Sequence, residues 1–400
     1  MFADKPGEFA YPRELLLRLI LMSVFDGGLS SREIERKTRT DIAYMYLAGM
    51  QHPSYRTIAR FKVDYPDLID ESFKTTIKIA KEEDLVKIHH VSLDGTKIKA
   101  KTSMNKLTNE QQLKIMKQHL KESIELDEEE DMELGEESGK DIISINDPDA
   151  CFMKNKKGKW EFDYNGQIAV DDYKGIILAS YITNNPTDYY ELIPLMEQVQ
   201  SNLSEIYDET PVNYQVSADN GYSTDMNTEY LEQNGFDGYI SSRKLSREQK
   251  KYNLSDKPFA KDNFFYDNEM MTYICPLGQP LYKISEYTYK NKSRISHWTK
   301  ECKTYPMQLF CSKGNRCRVI QDYKIPSKIR MQRKMETPEA KERYKIRSKT
   351  VERPFAHLKQ NMHLTEFRTT GLQEVNTELK LYTIGHNLKR IYNEISRKNN

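Results

Sequence analysis

The chain has 400 residues, 30% of them charged, with a formal net charge of +1; that length suffices for two or three domains and a sizeable core, and no global basic excess advertises a polyanionic partner. Its most apolar run, Leu15–Phe25, is interrupted by Arg18 and falls short of the roughly 20 apolar residues of a membrane span. The first residues lack the basic and apolar blocks of a signal peptide, so a cytoplasmic protein is expected.

Residues 11–85 read as helical. The stretch PRELLLRLILMSVFDGG closes on Gly27-Gly28, SSREIERKTRTD opens with serine caps, and PSYRTIARFKVDYPD starts at Pro53-Ser54 with apolar spacing at Ile58 and Phe61. Short helices joined by short turns fit a helix-turn-helix unit whose Arg56, Arg60 and Lys62 would meet DNA. They fit equally a helical packing domain with a solvated basic face. Residues 88–94 form an expected strand ending in Asp94, with Lys97, Lys99 and Lys101 behind it. An acidic insert, residues 104–150, follows; its KESIELDEEEDMELGEE segment reads as a solvated helix or a disordered insert without a catalytic role.

Strand signals resume at 160–183, where two strands flank a turn near Asp171–Gly175. An amphipathic helix is expected over 188–203, a strand and tight turn over 213–223, a short helix over 224–235 and a strand over 237–242. That order gives an α/β domain with a mixed sheet. Residues 243–330 interrupt it with Lys, Tyr, Pro and four of the five cysteines. In a reducing compartment such a cluster suggests metal binding or buried thiols rather than disulfides. A long helix begins at 338 and a last apolar one covers 377–395. The expected divisions are therefore 1–85, 86–242, 243–330 and 331–400.

Asp94 and Asp219 each end a strand and are followed by Gly95 and Gly221. Carboxylates at neighbouring strand ends converge on hard cations such as Mg²⁺, although each alone is an ordinary turn Asp. Glu352 lies on the long helix, near the face expected to carry Lys345, Arg347, Ser348 and Lys359 as well. Between 324 and 359 there are twelve Lys and Arg against four Glu, a block that suits a phosphate backbone or simply a solvated face.

The segments VSLDGTKIKA, SADNGYS and YKIRSKTVERPFAHLKQNMHLTEFRTTGL resemble the three signature regions of DDE transposases of bacterial insertion sequences, in the branch whose N-terminal helical domain is similar to residues 11–61 here. The resemblance covers about residues 10–390. It implies a ribonuclease-H-like mixed sheet with an insertion, preceded by an all-α N-terminal domain. It further implies a catalytic triad of Asp94, Asp219 and Glu352 holding Mg²⁺ or Mn²⁺, with Lys359 and Arg347 assisting catalysis, Tyr344 on DNA, and Lys97, Lys99 and Lys101 where a DNA strand passes, or else on the solvated side of a second strand. Many relatives space these last residues Y-x2-R-x3-E-x6-K; here four residues separate Arg347 from Glu352. A Cys-x2-Cys-Pro-x4-Cys knot of relatives is incomplete, with Tyr305 in the place of its middle cysteine; a Zn²⁺ site from Cys275, Cys302, Cys311 and Cys317 is the related expectation. Relatives often carry more residues before the helical domain, so an absent N-terminal piece is also expected. The implied partners are the terminal inverted repeats of the element and target DNA, bound by a homodimer. A silent or domesticated DNA-binding protein and a ribonuclease-H-like nuclease are the alternatives.

Overall fold

The computed structural model describes residues 11–102, 144, 146–154, 158–241, 258–259, 263–267, 270, 272–289, 292–304, 311–312, 317–323 and 326–398. Most of the acidic insert lies outside the described residues. Two compact units are present, one of residues 1–240 and 338–400, the other of residues 241–337.

The first unit opens with five helices, α1 (Arg13–Phe25), α2 (Ser31–Thr40), α3 (Ile42–Leu47), α4 (Tyr55–Asp64) and α5 (Pro66–Glu82). Local chemistry sets their ends. Ser30 and Glu33 form a reciprocal capping box on α2, Asp41 caps α3 and Ser54 caps α4, each satisfying amide donors that have no intrahelical partner. Pro66 stands at the first position of α5, where a missing N–H costs nothing. Leu16, Leu19, Ile20, Ile58, Phe61, Phe73 and Ile77 are fully buried.

The sheet of this unit is mixed. Strand β1 (His90–Lys99) pairs antiparallel with β3 (Trp160–Asp171) on one side and parallel with β5 (Gln215–Ala218) on the other. Beyond β3 lie β2 (Cys151–Lys154) and β4 (Ile177–Thr183), and beyond β5 lies the parallel β6 (Asp237–Ile240). The strand expected to stop at Asp94 continues five residues further, because Gly95 to Lys99 pair with Asp163 to Gln167 of β3. Helix α6 (Leu192–Ser204) packs on β3 and β4, and α7 (Asp225–Gln233) on β6. In the second unit, β7 (Phe265–Asp267), β8 (Thr272–Ile274), β9 (Pro280–Tyr289), β10 (Lys292–Trp298) and β11 (Ile320–Tyr323) make an antiparallel sheet in the order β11-β10-β9-β8-β7, with α8 (Pro326–Glu336) after it. Its core is Phe264, Leu281 and Ile320.

The chain returns to the first unit with α9 (Pro338–Ala356), a π turn over His357–Asn361, and α10 (Leu372–Lys398). Helix α9 runs against β1, β3, β5 and β6, while α10 packs on α1, α5 and β4. The long helix thus lies along the strands that carry Asp94 and Asp219.

Candidate active site on β1 and β5

Asp94 sits within β1, between a buried Leu93 and a buried Gly95. Asp219 follows β5 and caps a single 3-10 turn, its Oδ1 accepting the Gly221 N–H at 2.8 Å. Parallel pairing of β1 with β5 brings the two strands side by side in register, so Asp94, midway along β1, stands level with Asp219 at the C-terminal end of β5.

Arg347 closes this end from α9. Its Nη2 lies 2.8 Å from Asp94 Oδ1, and its Nε donates to the Leu93 carbonyl at 3.2 Å. Burial works against the guanidinium charge, but Asp94, Tyr344 and Asp219 more than offset it and raise its pKa. Lys359, carried by the π turn, donates to Thr96 Oγ1 at 2.7 Å and to the Lys97 carbonyl at 2.9 Å. Two cations of the C-terminal block are therefore anchored on the strand that holds Asp94.

Glu352 is placed differently. Five residues after Arg347, it lies about 140° further round the helix; it is exposed and accepts from Ser348 Oγ at 2.5 Å. Among the described residues, no three His, Cys, Asp or Glu side chains are gathered as a metal-holding set. The oxygen-only donors of Asp94 and Asp219 nevertheless have the chemistry of a hard-cation site.

Sequence reasoning missed Asp188, in the loop between β4 and α6. Its Oδ1 accepts from Asn165 Nδ2 and Gln167 Nε2, each at 2.7 Å. A Cβ added to Gly95 would stand 2.6 Å from Asp188 Oδ1, and one on Gly221 would meet Asp219 Oδ1 at 3.0 Å and Asp188 Oδ2 at 3.2 Å. Asp188 thus lies against the glycines that follow both predicted carboxylates. The buried Tyr222 donates to Gln167 Oε1; burial, then Asp188, Asp94 and Asp219, hold its hydroxyl well above the usual range. Asp188 stands five residues beyond the end of β4 with Tyr189 behind it, so the strand-end Asp followed by glycine that singled out Asp94 does not mark it.

Other expected contacts are redistributed. Lys97 is not on an open face: its ammonium donates to the Pro186 carbonyl, and burial lowers its pKa against the opposing pull of Asp188. Tyr344 is buried against the unit rather than presented to a partner. Lys99 pairs with Glu366 at 2.8 Å. Arg56 and Arg60 are exposed on α4, with Arg56 Nε donating to Tyr55 Oη at 3.2 Å. Lys62 on the same helix retains some exposed surface, yet burial of its ammonium near Glu378 and Arg368 pulls its pKa down to about 8. In the second unit, Cys275, Cys302 and Cys311 line a small apolar pocket with Phe264 and Leu281, and Cys317 is buried. Burial, reinforced by the other three thiols, pushes Cys302 up to about 11.

Two family models match the chain. One described as Transposase DDE domain covers residues 274–392, and one described as Transposase domain (DUF772) covers residues 1–64. The first includes Arg347, Glu352 and Lys359; Asp94 and Asp219 lie between the two. Among solved structures, the chain is similar to a Mos1 transposase paired-end complex with left transposon end, at 11% identity, 59% coverage of this chain, 61% of that chain and a TM-score of 0.19. It is also similar to a pre-cleavage Mos1 transpososome, at 12% identity, 64% and 67% coverage and a TM-score of 0.21. No curated protein matches. No helix among the described residues is long and apolar enough to cross a membrane.

Proposed function

This chain belongs to the DDE transposases of insertion sequences, and on that premise we propose that it cleaves DNA at the ends of its element and joins the freed ends to target DNA. The observation that carries this reading is the alignment of Asp94 with Asp219 on the paired β1 and β5, with Arg347 on Asp94 and Lys359 on the neighbouring Thr96. The strand order, with β1 between an antiparallel β3 and a parallel β5, supports a ribonuclease-H-like catalytic fold, with residues 243–330 as its insertion and residues 1–85 as an all-α DNA-binding domain.

Asp94, Asp219 and Glu352 would hold Mg²⁺ or Mn²⁺. When bound, such ions stabilise an in-line displacement at phosphorus. Arg347 orients Asp94 through their ion pair. Glu352 joins the other carboxylates by giving up its Ser348 hydrogen bond. Lys359, held on Thr96 two residues beyond Asp94 on the same strand, neutralises the phosphate next to the scissile bond. Water attacks first and releases a 3′-hydroxyl; that hydroxyl then attacks a target phosphodiester, so no protein nucleophile is needed. Arg56 and Arg60 contact the terminal repeats, and a homodimer pairs the two ends.

The test is nicking and strand transfer on terminal-repeat DNA by wild type and Asp94→Asn, with Mg²⁺, Mn²⁺ or EDTA, beside Mn²⁺ binding followed by electron paramagnetic resonance. Wild type should act only with a divalent ion. Asp94→Asn should lose both activities, bind less Mn²⁺ and retain end binding. Full cleavage by Asp94→Asn or in EDTA would sink the proposal, and sequence-specific binding with no cleavage by wild type would favour a domesticated DNA-binding protein.

A further inference from the structure

Helix α9 has a second charged flank. Lys349 and Arg353 lie about 200° and 240° round the helix from Arg347, on the side away from the Asp94 contact. There, α9 and its π turn, the β3–β4 turn and α10 enclose a cavity of about 370 Å³, within the size range of ligand sites. Five cations line it, Lys174, Lys349, Arg353, Lys389 and Arg390, against the single acid Asp172.

Internal ion pairs use only some of this charge. Lys174 pairs with the buried Glu394 at 2.8 Å, and Arg390 Nε donates to the Lys174 carbonyl at 2.7 Å. Lys389 lies 4.4 Å over the ring of Phe25, which leaves its charge without a counter-ion. Among the described residues, Lys349, Arg353 and Lys389 have no carboxylate partner. Lys349 and Arg353 are four apart on one helix face, where like charges repel, and both are exposed at the mouth.

The floor of the cavity carries a histidine pair with assignable protons. His386 Nε2 is 2.9 Å from the Gly175 carbonyl, which only accepts, so this nitrogen bears the hydrogen. His386 is buried and burial holds its pKa near 3, so the ring is neutral and its Nδ1 is an acceptor. The 3.1 Å contact between the two Nδ1 atoms is then a donation from His357. That bond orients His357, a cavity residue, and commits its Nδ1.

We propose that this cavity is a second DNA-backbone site, which takes phosphodiester groups without regard to sequence through Lys349, Arg353 and Lys389, on the flank of α9 away from Asp94. It rests on the reading that this protein works on DNA. A polymer suits the cavity better than a free anion, because its two most accessible cations stand at the mouth and a backbone phosphate reaches them without being engulfed. Loss of two such contacts weakens binding in a salt-dependent way, since each neutralised phosphate releases condensed counter-ions.

The experiment titrates the full chain with a duplex of arbitrary sequence, by fluorescence anisotropy, at 50 to 200 mM salt. The double variant Lys349→Ala/Arg353→Ala should flatten the plot of log K against log salt by about two, so that its deficit against wild type shrinks about fifteenfold across that range. The charge-conserving Lys349→Arg/Arg353→Lys should stay within about threefold of wild type. Lys345→Ala, which removes an exposed lysine paired with Glu342 at 2.5 Å, should change little. Circular dichroism and Tm establish that each variant is folded. An unchanged slope in the double-alanine variant overturns the proposal, as does an equal effect of Lys345→Ala, which would mean a diffuse basic face. Inorganic phosphate is the second probe: if it raises the Tm of wild type but not of the double variant while duplex affinity is equal, the cavity takes free anions and the DNA assignment fails. If wild type binds no duplex at all, the DNA reading itself has failed, and this inference with it.

Discussion

Gly95→Ala is expected to damage the site through packing rather than charge. The new methyl would stand 2.5 Å from Gln167 Nε2, 2.6 Å from Asp188 Oδ1 and 3.1 Å from Asn165 Oδ1. All three are side-chain tips, which normally yield cheaply, but here they are bonded to one another. Gln167 Nε2 and Asn165 Nδ2 both donate to Asp188 Oδ1 at 2.7 Å, and Gln167 Oε1 accepts from the buried Tyr222. Relief to ordinary contact requires shifts approaching 1 Å, which breaks the two bonds to Asp188. Hydrogen bonds to charged groups contribute about 1.5–3 kcal/mol each; with water partly replacing them, the expected loss is about 3 kcal/mol. For a unit of this size that lowers Tm by about 5 °C or more. Gly221→Ala is the comparison: its neighbours stand at 3.0–3.4 Å, so shifts of a few tenths of an ångström suffice and the loss should stay below about 1 kcal/mol. Differential scanning calorimetry of both variants decides the matter. A Gly95→Ala protein melting within 1 °C of wild type, or less affected than Gly221→Ala, would refute the locked Asp188 network.

Lys359→Ala should slow single-turnover cleavage of pre-bound terminal-repeat DNA by ~10²–10³, the usual cost of one positioned electrostatic donor, because its ammonium is held on Thr96 and Lys97 beside Asp94; a rate within about threefold of wild type would reassign it to the basic face. Asp171 gives a pH signature. Burial, then its neighbour Asp172, pushes its pKa up to about 7, so the folded state favours the protonated carboxyl; its contribution is full below the ordinary carboxylate range and is lost as pH rises through about 7. Relative to Asp171→Asn, wild type should therefore lose up to ~4 kcal/mol between pH 4 and 8, read from denaturant midpoints, and a pH-independent difference between the two proteins would contradict it.

Much of this protein is written locally. Ser30 with Glu33, Asp41 and Ser54 announce where helices start, because a cap acts within three residues. The two strands β3 and β4 around the Asp171–Gly175 turn are equally visible, as is the mixed sheet that follows from the order of strands and helices. Asp94 and Asp219 could be picked out because each stands before a glycine-bearing turn or strand end. Tertiary structure alone decided what those carboxylates touch. Strand β1 runs on to Lys99 because β3 offers it backbone partners, which no pattern within 88–103 encodes. Lys97 was legible as a cation but not as a half-buried one, since its ammonium is held by the carbonyl of Pro186, 89 residues away. Arg347 and Glu352 are expected near one face of the helix, but five residues turn an α-helix about 140° past a full turn, and the packing of α9 on β1 determined that Arg347 meets Asp94 while Glu352 meets solvent. Asp188 likewise acquires its place from Asn165 and Gln167 on a neighbouring strand: short-range chemistry sets where elements begin and end, whereas the partner of a charge is set by chain segments that only folding brings within 3 Å.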